Sequence, residues 1–217
     1  MSNAHADWQL LCRQGLEFFG RVTANLSHEM KNCLAIMNEQ TYLLKELLEM
    51  EAQGRRQEPG RIQDLAGKII ERIQETDRVI KRLNTFAHSA DEESRVLEAG
   101  QLLELVAQLY RRLAALKGLE LELETPPASL TLTANPFFLE AALFACLDAV
   151  CQAGEPGRGP IRLWVEEGSD EVRFWVGGAR PGELEPGSGP APGILQVLGA
   201  RLESREDALG LELPRGS

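Results

Sequence analysis

Apolar residues at Phe19, Val22, Leu26, Met30, Cys33, Met37, Leu44 and Leu48 recur at spacings of three and four or their multiples, which predicts one apolar stripe along a helix over 8–51. The segment Gln53-Gly54-Arg55-Arg56-Gln57-Glu58-Pro59-Gly60 reads as a turn. A second stripe, Ile62, Leu65, Ile69, Ile73, Thr76, Ile80, Leu83 and Ala87, predicts a second long helix with near-heptad spacing. Two antiparallel helices with one seam each bury that seam poorly alone, so two copies are expected to pair as a four-helix bundle, making the chain a homodimer.

After the polar run Ser89-Ala90-Asp91-Glu92-Glu93-Ser94 the pattern changes to mixed helix and strand. Helices are expected over 97–116 and 136–153, with strands over 119–124, 130–133, 161–166 and 172–176. A Pro/Gly-rich loop, a short helix near 194–198 and a hairpin of 201–205 with 208–213 follow. Leu119-Glu120-Leu121-Glu122-Leu123-Glu124 alternates with period two, so the sheet should have one wet face and one covered by helices. The fold class is therefore α+β, a long helical hairpin over 8–90 followed by an α/β sandwich over 95–214.

Composition narrows the function. A net charge of -10 disfavours nucleic acid and anionic membrane as partners, because both select clustered positive charge. No apolar run approaches the ~20 residues that span a bilayer, and no basic-then-apolar signal opens the chain, so a cytoplasmic protein is expected. Cys12, Cys33, Cys146 and Cys151 form no C-x-x-C pair and no zinc-finger spacing, so reduced, packed thiols and no bound metal are expected. Ser2-Asn3-Ala4 and Leu213-Pro214-Arg215-Gly216-Ser217 look like cloning remnants and carry no functional argument.

The chemistry concentrates in Asn25-Leu26-Ser27-His28-Glu29-Met30-Lys31-Asn32-Cys33-Leu34. Neutral imidazole is a good nucleophile near physiological pH, and an adjacent carboxylate can hold its reactive tautomer and stabilise the charge that develops on it. At about 100° per residue, His28 falls roughly 200° from Leu26, on a face shared with Arg21, Asn25, Asn32, Ala35 and Glu39. A lone histidine so placed is ordinarily a surface residue; the surrounding motif and the paired helix favour a functional one.

The segment resembles the H-box of two-component sensor histidine kinases, with Cys33 where a proline usually stands. The helix order also resembles their dimerisation and phosphotransfer hairpin, and the second half resembles their ATP-binding domain. The resemblance implies His28 as phosphoryl acceptor, Glu29 as its orienting acid and Asn32 as a participant in receiver dephosphorylation. His88, near a helix C-terminus, reads as a partner of the helix dipole rather than a second acceptor.

Aligned on that family, however, Phe144 and Asp148 stand where two asparagines would hold Mg²⁺ and phosphate, Gly178 where an aspartate would read adenine, and Arg180 where a lid glycine would lie, with Pro181 and Gly182 following. Gly187-Ser188-Gly189-Pro190-Ala191-Pro192-Gly193 reads as a surface loop, since prolines remove amide donors and no P-loop lysine follows. ATP binding is thus not expected, no cofactor is bound tightly, and Mg²⁺ belongs to a partner response-regulator receiver domain. Retention of the acceptor half with loss of the nucleotide half resembles the dimeric histidine phosphotransferases of phosphorelays. An ATP-using kinase core with a divergent site and a non-enzymatic scaffold that binds a response regulator remain as alternatives.

Overall fold

The computed structural model describes residues 2–55, 58, 60–124, 130–155, 157, 159–178, 189–205 and 207–215, with side chains from residue 8 onward. The chain divides into two compact units, Thr23–Thr85 and a second formed by Met1–Val22 with Phe86–Ser217. The first helix, α1 (Ser2–Ala52), therefore serves both, giving its opening turns to the sheet-containing unit.

In the unit Thr23–Thr85, α1 and α2 (Arg61–Ser89) form the hairpin expected from the two stripes. Its interior holds Leu26, Cys33 and Leu47 from α1 with Leu65 and Val79 from α2. The seam differs in detail from the sequence pattern. Leu47 is buried in place of Leu48, and Val79 in place of Ile80. Ile73 and Ile80 are 52% and 42% exposed, so the apolar residues of α2 supply two faces rather than one. Asn25 is also buried rather than on the exposed face with His28, because the interior arc of α1 runs through Val22, Asn25, Leu26 and Cys33 and is wider than a narrow stripe.

The other unit is a mixed five-stranded sheet in the order β2 (Leu121–Leu123), β4 (Ile161–Glu167), β5 (Glu171–Gly177), β7 (Ala208–Pro214), β6 (Arg201–Ser204). Only the β2–β4 pair is parallel. Helices α3 (Ala99–Leu116) and α4 (Pro136–Ala153) contact the sheet, and α5 (Pro192–Leu198) packs on α4. Ile161, Leu163 and Val165, then Val172, Phe174 and Val176, then Leu209, Leu211 and Leu213 alternate along the central strands as the buried face. A separate antiparallel pair, β1 (Arg95–Glu98) with β3 (Thr131–Ala134), lies outside this sheet.

Helix α4 starts where Asn135 accepts a hydrogen bond from the Phe138 N–H at 2.9 Å and Pro136 fills the first turn. Among the described residues it is the one helix long and apolar enough to cross a membrane, and its apolar side chains form the core of this unit.

Four sequence expectations change here. Residues 97 and 98, expected to open the helix 97–116, instead end the strand 95–98, because Leu97 pairs with Leu132 and Glu98 is the helix cap. Pro192 and Gly193 open α5 instead of lying in a surface loop, and Pro190 is buried; Gly187 and Ser188 lie outside the described residues. Leu213 is buried in β7, and Arg215 bonds through its backbone to Thr133 and Asp170 and through its guanidinium to Glu167 at 2.6 Å, so residues 213–215 belong to the fold; Gly216 and Ser217 lie outside the described residues.

The fourth concerns the sheet face expected to be wet. Trp164 and Trp175 are directly opposed across β4 and β5 and stack with ring centroids 6.1 Å apart. Arg205 lies 3.7 Å over the Trp175 ring and grips Glu166 with two hydrogen bonds of 2.8 Å, holding that carboxyl down to about 2. The rings lie flat because Gly177 and Gly210 leave room for them. A Cβ at Gly210 would stand 2.6 Å from Trp175 Cε3.

A buried polar pair stands at the end of α2. Ser89 Oγ lies 2.7 Å from the Phe86 carbonyl oxygen and 2.9 Å from Glu140 Oε2 on α4, with both residues almost wholly inaccessible. One hydroxyl proton serves only one of these acceptors, so a protonated Glu140 completes the arrangement. Burial pushes the Glu140 carboxyl up to about 8, against the Ser89 hydrogen bond and the charge of Arg95.

Candidate functional site

His28 is exposed on α1, with Lys31, Asn32, Ala35 and Glu39 also exposed along the helix. Asn32 is exposed one turn beyond His28, on the same side of the helix. Glu29 is turned inward. Its Oε2 accepts a hydrogen bond from the Arg82 guanidinium of α2 at 3.0 Å, and only 17% and 21% of the two side chains remain exposed. Among the described residues no hydrogen bond joins Glu29 to His28; adjacent helical residues point about 100° apart. His88, in the last turn of α2, is held through Nδ1 to Asp91 at 2.9 Å, and the side chain of His5 lies outside the described residues.

The second candidate region is the face of α4 that carries Phe144 and Asp148. Arg21 of α1 reaches Asp148 with both guanidinium nitrogens, Nη2 to Oδ1 at 2.9 Å and Nη1 to Oδ2. The Tyr110 hydroxyl donates to Asp148 Oδ1 at 2.8 Å. These hydrogen bonds raise the Arg21 pKa, and burial, with Cys151 and Asp148 nearby, pushes the Tyr110 hydroxyl up. Phe144 is buried against Phe18 and Tyr110 in edge contacts, with ring centroids 5.3 Å and 4.8 Å away, and Arg21 lies 5.2 Å over its ring. Phe18, Phe86 and Phe137 continue this aromatic cluster.

What remains open is small. A cavity of about 180 Å³ lies between α1, α4 and α5, lined by Gln14, Phe18, Arg21, Phe144, Asp148 and Ile194. Small-molecule sites usually measure roughly 300–1,000 Å³. At the end of β5, Gly178 has φ +117°, and a Cβ there would stand 2.8 Å from Ile161 Cδ1, so a carboxylate-bearing side chain has neither the backbone nor the space it requires. The residues at these positions do not fit an Mg-nucleotide: Phe144 offers no polar atom and Asp148 already accepts from Arg21 and Tyr110. Arg180, Pro181 and Gly182 lie outside the described residues.

Sequence reading placed Arg21 on the face of His28 but missed its bond to Asp148, and it missed Tyr110, Arg82 and the Ser89–Glu140 pair. A signal for three of these was present, since Glu140 and Asp148, which bond Ser89 and the pair Arg21 and Tyr110, are the only charged residues in α4. Acids in so apolar a helix require buried partners.

No protein-family model matches the chain, and no curated protein matches it. Among solved structures the chain is similar to the Acinetobacter baumannii histidine kinase AdeS, with 12% identity, a TM-score of 0.46 and coverage of 81% of this chain and 95% of that one. It is similar to a histidine kinase from Burkholderia phymatum STM815, with 14% identity, a TM-score of 0.48 and coverage of 92% and 98%. A third similar structure is the histidine kinase ThkA in complex with the response regulator protein TrrA, at 17% identity, a TM-score of 0.48 and coverage of 94% and 64%. All three of these similar structures are histidine kinases.

Proposed function

We propose that this chain is a phosphorelay phosphotransferase that takes a phosphoryl group onto His28 from a response-regulator aspartate and returns it to another, without using ATP. The observation that carries the reading is the contrast between an open acceptor and a closed α4 face: His28 is exposed, whereas Asp148 is bonded to Arg21 and Tyr110 and Phe144 is packed under Phe18. In the transfer an imidazole nitrogen forms the N–P bond as the acyl-phosphate P–O bond breaks and the receiver carboxylate leaves with the electron pair. The receiver brings the Mg²⁺, and this chain contributes positioning. Asn32, beside the same phosphoryl group, would orient a water for hydrolysis on the receiver. Ile73 and Ile80 of α2, seven residues apart and exposed, support pairing of two hairpins in a homodimer.

The test is to incubate the protein separately with labelled ATP and with phosphorylated receivers. Acid-labile label is expected from the receiver alone, lost in His28→Gln and retained after substitution of His5 or His88. Label from ATP at one phosphate per chain would make it a kinase. Unchanged partner binding and output in His28→Ala would make it a scaffold. Loss of receiver phosphate should slow in Asn32→Ala while transfer to His28 persists.

A further inference from the structure

We propose that Arg82 is a positioning residue for the His28 reaction, acting through Glu29. This rests on the function proposed above. Arg82 follows the buried Val79 by three residues on α2, and Glu29 follows the buried Leu26 by three on α1, so both side chains rise from the hairpin interior. They meet at 3.0 Å with four fifths of each side chain covered. The exposed pairs Lys81–Asp77 and Lys45–Glu49 differ: both partners are mostly in water, where such pairs contribute little. At the Glu29–Arg82 pair water screens less, and each long side chain is confined by the helix opposite.

This confinement has a chemical consequence for the neighbouring residue. A bare carboxylate beside His28 would repel an incoming phosphoryl group, which carries negative charge of its own. Paired with Arg82, Glu29 holds a neutralised carboxylate at a fixed place on the adjoining, α2-facing side of α1, from which its field can still act on positive charge that develops on the neighbouring ring. Removing the guanidinium leaves Glu29 charged, half-covered and free to change rotamer. Arg82 touches neither the imidazole nor the phosphoryl donor in this scheme, so its effect should vanish once Glu29 has no charge to hold.

The experiment uses the full chain and two phosphoryl donors, a phosphorylated receiver and phosphoramidate, which needs no partner and loses ammonia as the N–P bond to His28 forms. Arg82→Ala should lower the maximal rate of His28 labelling about tenfold or more from both donors. The half-saturating receiver concentration should be unchanged, and Arg82→Lys should recover part of the rate. In a Glu29→Gln background the same Arg82→Ala change should alter the rate less than about twofold, the mark of one residue acting through another. Thermal melting of each variant identifies loss of fold. Equal loss in both backgrounds, or a change confined to half-saturation, overturns the proposal and makes Arg82 a docking residue. A folded Arg82→Ala variant that labels at the wild-type rate overturns it outright. If the receiver labels nothing while phosphoramidate shows the full pattern, the phosphorelay reading fails and the role of Arg82 stands; no labelling of His28 by either donor overturns both.

Discussion

The two units differ in how much of their surface chemistry is closed within the chain. In the sheet-containing unit, Arg173 is engaged by Glu171, Glu203 and Glu212, Arg205 by Glu166, Arg215 by Glu167 and Asp148 by Arg21 and Tyr110. In the hairpin unit Glu29 and Arg82 form a covered cross-helix pair, while Ile70, Ile73 and Ile80 on α2 and His28 on α1 are exposed. Unsatisfied apolar area and an uncommitted nucleophile both call for something outside the chain, whereas saturated ion pairs and stacked rings do not. On the phosphorelay reading proposed above, partner chemistry belongs to the hairpin, the unfinished side, whereas the sheet unit, although it also exposes Leu16, Val96 and Leu116, closes its ion pairs within the chain.

The largest expected effect tests the unfinished side. Ile73→Glu combined with Ile80→Glu should convert a dimer into a folded monomer, read by light scattering with circular dichroism as the check on fold, because burial of each isoleucine is worth roughly 1.5–3 kcal/mol and a buried unpaired charge costs more. An unchanged mass in solution would remove the distinction between the units. On the finished side, Gly210→Ala should cost about 2–4 kcal/mol in denaturant unfolding, because the new methyl meets the Trp175 ring backed by Arg205.

The smallest effect is the pH response of Glu140. Its folded pKa of about 8 lies above the ordinary carboxylate value, so the native state holds a proton that the unfolded chain releases. Its contribution is complete below about 4.5 and is lost progressively as the pH rises to about 8. Glu140→Gln, which keeps a donor toward Ser89 without the charge, should raise stability at pH 8 by roughly 1–3 kcal/mol and flatten the melting temperature between pH 5 and 8. A slope as steep as that of the parent would show that Glu140 is not the group responsible.

Local pattern made much of this fold legible. The period-3.6 stripes predict both hairpin helices, and α4 begins and ends where the apolar run 136–153 does. Pattern fails where a residue has two neighbours to choose between. Leu97 fits the approach to a helix as well as the strand it forms with Leu132, and Val79 and Ile80 are equally apolar, so only tertiary packing decides which of them turns inward. The same holds for the opening turns of α1. Leu11, Gly15, Phe18 and Val22 are spaced by four, three and four and are all buried, a stripe visible in the sequence whose destination, the sheet unit, is not. The motif that nominates His28 as an acceptor is contiguous and so can be read in the sequence. Arg21 and Asp148, 127 residues apart, and Glu29 and Arg82, 53 apart, are joined only by folding.

The stacked tryptophans also give the molecule a spectroscopic division of labour. Its three tryptophans, Trp8, Trp164 and Trp175, all belong to the sheet-containing unit, while Thr23–Thr85 holds the single tyrosine Tyr42 and no tryptophan. Excitation at the red edge, where tyrosine does not absorb, therefore observes the sheet unit alone, and the guanidinium over Trp175 makes that emission sensitive to the Arg205 clamp. Helical circular dichroism draws on both units, since Thr23–Thr85 is almost wholly helical and the sheet-containing unit carries the start of α1, the end of α2 and all of α3, α4 and α5. Comparing the two signals during one melt would show whether the units unfold together without any label being added.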